Sequence, residues 1–118
     1  MRKIFLVEDD VGIRDTLEIL LTTEGYDVQS FGRVTEFNNR DKSILPDLFL
    51  FDVMLPDGLG TDLCRQIKAD KDSLNVPVII MSANADLDDI SYECIPNYFI
   101  TKPFDIDDLL LRIDEEIR

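Results

Sequence analysis

Four apolar runs of this chain end in side chains that could bind a metal ion or a phosphoryl group. Glu8 and Asp9 follow the run KIFLV, and Asp52 ends the run DLFLFD. Ser82 lies near the end of VPVIIMSAN, and Lys102 follows NYFIT. A carboxylate at the end of a buried strand is costly unless it has a partner or a function. Several carboxylates, one hydroxyl and one ammonium together are the composition of a metal-assisted phosphoryl-transfer site.

Carboxylates held close together repel one another, and a divalent cation removes that repulsion. Mg²⁺ suits such a site because it prefers hard oxygen ligands and keeps several of its waters, and Mn²⁺ is the other candidate. The carboxylate of Asp52 can attack phosphorus and form an aspartyl phosphate. Lys102 can supply a positive charge and Ser82 a hydroxyl donor to the phosphoryl oxygens.

Strands and helices alternate along the chain. The apolar patterns predict five strands, at 3–8, 26–31, 47–52, 76–82 and 98–101. They predict helices at 10–24, 33–44, 61–70 and 105–117, with Gly25 ending the first helix and Thr61 and Asp105 capping later ones. Residues 86–94 predict only a short or irregular fourth helix, interrupted by Pro96.

This alternation predicts an α/β fold with a doubly wound parallel sheet and helices on both faces. The flavodoxin-like strand order 2-1-3-4-5 is one of the two common solutions, and its ligands bind at the carboxyl ends of strands one and three. Those strand ends carry Glu8, Asp9 and Asp52. The sheet pattern and the positions of the acids therefore indicate the same edge.

Composition excludes several classes of protein. The 118 residues, 45% of them hydrophobic, are enough for one domain over 1–118. A formal net charge of −13 argues against direct binding of nucleic acid or of an anionic membrane by this domain. The sequence shows neither a membrane span nor a signal peptide. Cys64 and Cys94 fit no metal-binding spacing, so we expect a cytoplasmic protein with two free thiols.

The motifs FLVEDD, DLFLFDVMLPDGLG, VPVIIMSA and YFITKPF together resemble the receiver domain of two-component response regulators. The resemblance covers essentially the whole chain. It implies Mg²⁺-dependent phosphotransfer from the phosphohistidine of a histidine kinase to Asp52. It further implies that Asp9 and the main-chain carbonyl of Met54 bind the metal directly, together with Asp52, and that Glu8 binds it through water.

The resemblance assigns roles to further residues. Ser82 resembles the switch hydroxyl, Lys102 the lysine that contacts the phosphoryl group, and Phe99 the aromatic switch residue. The peptide bond before Pro103 should be cis. The family also implies that Met54 and Asn84, each two residues beyond a site residue, tune the attack of water on the phosphorylated form.

The resemblance implies partners as well. These are a sensor histidine kinase or phosphotransfer protein, a downstream output domain or protein, and a phosphorylation-dependent homodimer as one arrangement. One segment, DLDDISYECIPN at 86–97, departs from the family pattern, which leaves any carried-over partner or dimer mode open. The sequence also leaves open whether the receiver stands alone or is part of a longer regulator.

Three other classes are alternatives to the phosphorylation-dependent switch. A pseudo-receiver would be an interaction module without phosphorylation, yet such modules typically lose an acid or the lysine, and this chain has both. An enzyme with an Asp nucleophile would need a DxDx[TV] motif after the first strand, where the chain has EDDVG. A flavin mononucleotide carrier would need a phosphate-binding loop there instead of acids. We therefore expect that the protein is not an enzyme acting on other substrates and that it catalyses only its own phosphorylation and dephosphorylation.

Overall fold

The computed structural model describes residues 1–83 and 96–117. Its strands are β1 (Lys3–Val7), β2 (Asp27–Phe31), β3 (Leu48–Asp52), β4 (Met54–Leu55), β5 (Gly58–Leu59), β6 (Val78–Ser82) and β7 (Tyr98–Thr101). Its helices, numbered among the described residues, are α1 (Val11–Thr23), α2 (Val34–Asn38), α3 (Gly60–Ala69) and α4 (Ile106–Ile117). The predicted irregular helix at 86–94 lies outside the described residues.

Five strands form one parallel sheet in the order β2-β1-β3-β6-β7. This is the predicted flavodoxin-like order, with β6 and β7 as the fourth and fifth strands of the sheet. Since β3 is central, all five of its residues are buried. A second, two-stranded antiparallel sheet pairs β4 with β5, in a stretch where no strand is predicted from the sequence.

The sheet buries apolar side chains on both faces because alternate strand residues point in opposite directions. Ile4 and Leu6 belong to the face covered by α1 and α4, where they pack with Leu17 and Leu109 among others. The opposite face, covered by α2 and α3, holds five mutually packed phenylalanines: Phe5, Phe31, Phe37, Phe49 and Phe51. Most of these ring pairs meet edge to face, a favoured geometry for aromatic pairs.

Two helix ends follow the sequence predictions and one does not. Gly25 adopts a positive φ of 94° just after α1, which a glycine tolerates without strain. Asp105 accepts hydrogen bonds from the amides of Asp107 and Asp108 at the start of α4. Thr61 is not a cap: α3 begins at Gly60 after Leu59, and Thr61 is buried inside the helix. The prediction for Thr61 is therefore wrong.

The second helix is shorter than predicted. It ends at Asn38 because the chain turns instead at Asp41, whose carboxylate accepts hydrogen bonds from the amide and hydroxyl of Ser43. Such a local side-chain bond competes with helical hydrogen bonding.

Cys64 is buried in α3 and is disulfide-bonded, so the prediction of a free thiol is wrong for this residue.

Within residues 1–83 and 96–117, none of the helices combines the length and the apolar character needed to cross a lipid bilayer.

The chain after β3 folds back tightly on the end of that strand. The amide of Val53 donates to the carbonyl of Met81, and the amide of Gly60 donates to the carbonyl of Val53. A Cβ atom on Gly60 would overlap the main-chain oxygen of Asp52. Only glycine allows this close approach of α3 to the end of β3.

Replacing Gly60 with alanine should therefore force the main chain at Asp52 to move. We expect Gly60→Ala to lower the free energy of unfolding by about 1 to 3 kcal/mol, the usual cost of overpacking. Urea denaturation followed by circular dichroism measures this change. Gly12→Ala is the control, because its nearest neighbour is a side-chain oxygen of Asp10 at 3.3 Å and not the main chain. Equal stability of Gly60→Ala and the wild type would contradict this packing.

Candidate functional site

The carboxyl ends of four parallel strands bring the predicted polar residues to one edge of the sheet. Glu8 directly follows β1, Asp52 ends β3 and Ser82 ends β6, and all three are buried. Lys102 directly follows β7, and its amide donates to the carbonyl of Ser82 over 2.7 Å. The register that pairs Ser82 with Thr101 therefore places Lys102 one residue beyond the edge, above the acids.

The Lys102 side chain connects the two buried carboxylates. Its Nζ lies 2.7 Å from Glu8 Oε1 and 3.2 Å from Asp52 Oδ1. The ammonium itself is largely shielded, since 16% of the Lys102 side chain is exposed. Removing charges from water is costly unless each charge has a partner of opposite sign. Here one ammonium is the partner of two carboxylates. The edge therefore carries an excess of negative charge.

Burial and the neighbouring charges change the proton affinity of both Glu8 and Lys102. Burial raises the pKa of the Glu8 carboxyl to about 7, against the opposing hydrogen bond from Lys102 and with a further contribution from nearby Asp52. Burial of Lys102 disfavours its charge, yet the hydrogen bond to Glu8 and the Asp52 charge outweigh that effect and raise the pKa of Lys102. The lysine thus remains an ammonium, while the glutamate is the group that can take up a proton.

Three carboxylates converge on one point of the edge. One oxygen from each of Glu8, Asp9 and Asp52 lies within 4.8 Å of the other two. Glu8 and Asp52 are buried, whereas Asp9 is exposed to solvent. An all-oxygen donor set open to water on one side fits a hard divalent cation such as Mg²⁺, which retains part of its water shell.

The turn that carries the first two acids is held by its main chain. The amide of Glu8 donates to the carbonyl of Phe31, and the carbonyl of Glu8 accepts from the Arg14 guanidinium over 2.9 Å. Asp10 accepts from the amide of Ile13 and so caps α1. The sequence analysis missed Arg14. Its position one turn into a helix that starts at the acidic turn is the signal that could have identified it.

The structure describes three of the remaining predicted residues, Met54, Phe99 and Pro103. Met54 is in β4 and its side chain is 68% exposed, so the residue is not held by side-chain packing. Phe99 is half-buried in β7 and packs against the phenylalanine-rich face of the sheet. The Lys102–Pro103 peptide bond is cis, as the resemblance implies. Asn84 lies outside the described residues.

Comparison with known proteins matches residues 4–114 to the family model of the response regulator receiver domain. The DNA-binding response regulator MtrA of Mycobacterium tuberculosis H37Rv is 33% identical over 119 residues, which cover 99% of this chain and 51% of MtrA. The transcriptional regulatory protein GltR of Pseudomonas aeruginosa is 36% identical over 99% of this chain and 49% of GltR. The chain thus spans about half the length of these relatives.

Among solved structures, the signal receiver domain of a histidine kinase from Syntrophus aciditrophicus superposes with a TM-score of 0.91. It is 29% identical, and the match covers 99% of this chain and 90% of that chain.

The raised pKa of Glu8 makes stability depend on pH. Between its ordinary value of 4.5 and about 7, the folded chain keeps a proton that the unfolded chain releases, so this residue's contribution to the free energy of unfolding decreases as pH rises. Relative to the wild type, Glu8→Gln should therefore become more stable by about 1 to 3 kcal/mol between pH 5 and pH 7.5. Urea denaturation in Mg²⁺-free buffer at both pH values measures the difference. A difference that does not change with pH would contradict the assignment.

Proposed function

The chain belongs to the response regulator receiver domain family, and on that premise we propose that it is a signalling switch that accepts a phosphoryl group on Asp52. One observation carries the proposal: Asp52 is buried at the end of the central strand, 3.2 Å from the Lys102 ammonium and within 4.8 Å of two further acids. An apolar residue at this buried position would stabilise the fold at least as well as a carboxylate does. The carboxylate of Asp52 is therefore better explained by a chemical role.

In the proposed reaction, a carboxylate oxygen of Asp52 attacks the phosphorus of a phosphohistidine. The new O–P bond forms as the N–P bond breaks, and the imidazole, protonated beforehand at its other ring nitrogen, leaves as the neutral base. Lys102 lies close enough to Asp52 to contact the incoming phosphoryl oxygens, and Ser82 ends the neighbouring strand. Fixed positive and hydroxyl donors of this kind favour the transition state because negative charge is spread over the phosphoryl oxygens.

A divalent metal fits the same edge. We propose that the carboxylates of Asp9 and Asp52 and the main-chain carbonyl of Met54 bind Mg²⁺, with Glu8 contributing through water. When bound, the metal supplies positive charge that neutralises the carboxylates and the phosphoryl oxygens. Burial is the main reason that the pKa of Glu8 is raised, with a further contribution from Asp52, and a nearby cation would favour the ionised carboxylate.

The switch follows from competition for one ammonium. A phosphoryl group on Asp52 adds negative charge beside Lys102, which is already shared between Asp52 and Glu8. We propose that Lys102 and the Ser82 hydroxyl move towards the phosphoryl group and that the Phe99 ring moves further inward. Met54 offers an exposed apolar side chain that cannot orient a water molecule, so the phosphorylated form should be long-lived.

The proposed partners are a sensor histidine kinase or phosphotransfer protein and a downstream output domain or protein in the cytoplasm. MtrA is described as a DNA-binding regulator, and this chain matches about half of it. The net charge of −13 argues against contact between DNA and this chain. A role in transcription would therefore depend on a separate output domain or protein that binds DNA.

Phosphorylation by a small donor tests the proposal. Incubation with acetyl phosphate and Mg²⁺ should add one phosphate to the wild type by intact-mass spectrometry, and Asp52→Asn should add none, because the amide is not a nucleophile. Asp62→Asn, which changes an exposed acid on α3, is the matched control and should still be phosphorylated. A wild type that gains no phosphate would favour the pseudo-receiver, and a full gain in Asp52→Asn would place the acceptor elsewhere.

A further inference from the structure

The N-terminus of α2 is capped by a residue from a different part of the chain. The residue that precedes the helix, Arg33, makes no side-chain capping hydrogen bond. The first amides of a helix have no partner within the helix and need one from outside. Here the partner is Asp57, which is 23 residues from Val34 in sequence.

Asp57 uses both carboxylate oxygens. Its Oδ1 accepts from the amide of Val34 over 2.8 Å, and its Oδ2 accepts from the amide of Thr35 over 2.9 Å. The Thr35 hydroxyl also donates to Oδ2. That hydroxyl hydrogen bond is the main reason that the pKa of the Asp57 carboxyl is held below its usual range. The carboxylate is therefore ionised and fully engaged near neutral pH.

A second contact fixes the same two elements. A Cβ on Gly58 would lie 3.0 Å from Cγ2 of Val34, so the main chain next to Asp57 already packs closely against the first residue of α2. The hydrogen bonds and this packing both join the turn between β4 and β5 to α2. That turn is consequently attached to the body of the fold at its tip.

The same turn joins the two strands that follow Asp52. Met54 pairs with Leu59 and Leu55 with Gly58, which leaves Pro56 and Asp57 as the two turn residues. Leu55 is buried, but the side chain of Met54 is 68% exposed and does not anchor its own main chain. The orientation of the Met54 carbonyl therefore depends on how the hairpin is held at its base, by Gly60, and at its tip, by Asp57.

We propose that Asp57 is a positioning residue for the phosphoryl-transfer site. By holding the β4–β5 turn on α2, it fixes the main chain at Met54 and so the carbonyl that completes the Mg²⁺ ligands. This inference rests on the proposed function, in which that carbonyl binds the metal. It gives the exposed Asp57 carboxylate a role in metal affinity and in the phosphorylation rate, beyond the stability of α2.

The test compares Mg²⁺ binding and phosphorylation in variants of Asp57. Asp57→Ala should weaken Mg²⁺ binding roughly tenfold, the lower end of what loss of a support for a metal ligand costs. The rate of phosphorylation by acetyl phosphate at subsaturating Mg²⁺ should fall by a similar factor. Titration calorimetry and intact-mass time courses measure the two effects well below the melting temperature. Asp57→Asn keeps one acceptor oxygen and should fall between Asp57→Ala and the wild type.

The matched control is Arg40→Ala, which weakens α2 from its other end. The Arg40 guanidinium stacks 3.8 Å from the centre of the Phe37 ring and donates to the Phe37 carbonyl, so both contacts are with α2 itself. This variant should melt at a lower temperature, yet bind Mg²⁺ and accept phosphate as the wild type does. The contrast separates a positioning role from general loss of stability.

The outcomes distinguish this inference from the proposed function. Wild-type values of Mg²⁺ affinity and phosphorylation rate in both Asp57 variants would overturn the positioning role and leave the switch intact. Equal losses in Arg40→Ala and Asp57→Ala would also overturn it, because stability would then be the cause. A wild type that neither binds Mg²⁺ nor accepts phosphate would overturn the proposed function and the positioning role together.

Discussion

The contact of one ammonium with two buried carboxylates is the interaction on which the rest of this structure depends. Lys102 lies 2.7 Å from Glu8 and 3.2 Å from Asp52, so its ammonium is the counter-charge of both carboxylates. Removing one partner of such a group would leave an uncompensated charge in a shielded site. The fold must therefore deliver one residue from β7, one from β1 and one from β3 to the same point.

A parallel sheet does this because all its strands end on the same side. The apolar faces hold the strands in register: aliphatic side chains fill one face and a phenylalanine cluster fills the other. Because β3 is buried along its whole length, Asp52 has little freedom to move away from its neighbours. The strands thus hold two carboxylates and one ammonium in a shielded place, and burial, helped by nearby Asp52, raises the pKa of Glu8.

The strands and the edge where the site lies could be predicted from sequence, because long apolar runs bounded by acids and turn residues are strong local signals. The cap of α3 could not, since Thr61 has the right side chain for a cap but is drawn into the helix where Gly60 packs on Asp52. The predicted second helix is longer than α2 because Ile44 lies at helical spacing, seven residues after Phe37, whereas the chain turns at Asp41. The polar residues at the strand ends could thus be predicted from sequence, whereas helix boundaries that depend on side-chain hydrogen bonds could not.

Contacts between distant parts of the chain were the least visible. Asp57 is an ordinary surface residue in the sequence, and its contact with α2 joins positions 23 residues apart. That contact does not follow from periodicity, because it joins main-chain amides to a side chain from another part of the chain. Arg14 differs, since it lies only six residues from Glu8 and its place in α1 could have identified it.

The claim that this edge is built to hold a phosphoryl group together with a metal is tested most directly by beryllofluoride, which mimics a phosphoryl group on a carboxylate. Fluorine NMR of the protein should show bound beryllofluoride signals only when Mg²⁺ is also present. Asp52→Asn should show none. Bound signals of equal strength without Mg²⁺, or in Asp52→Asn, would contradict the account.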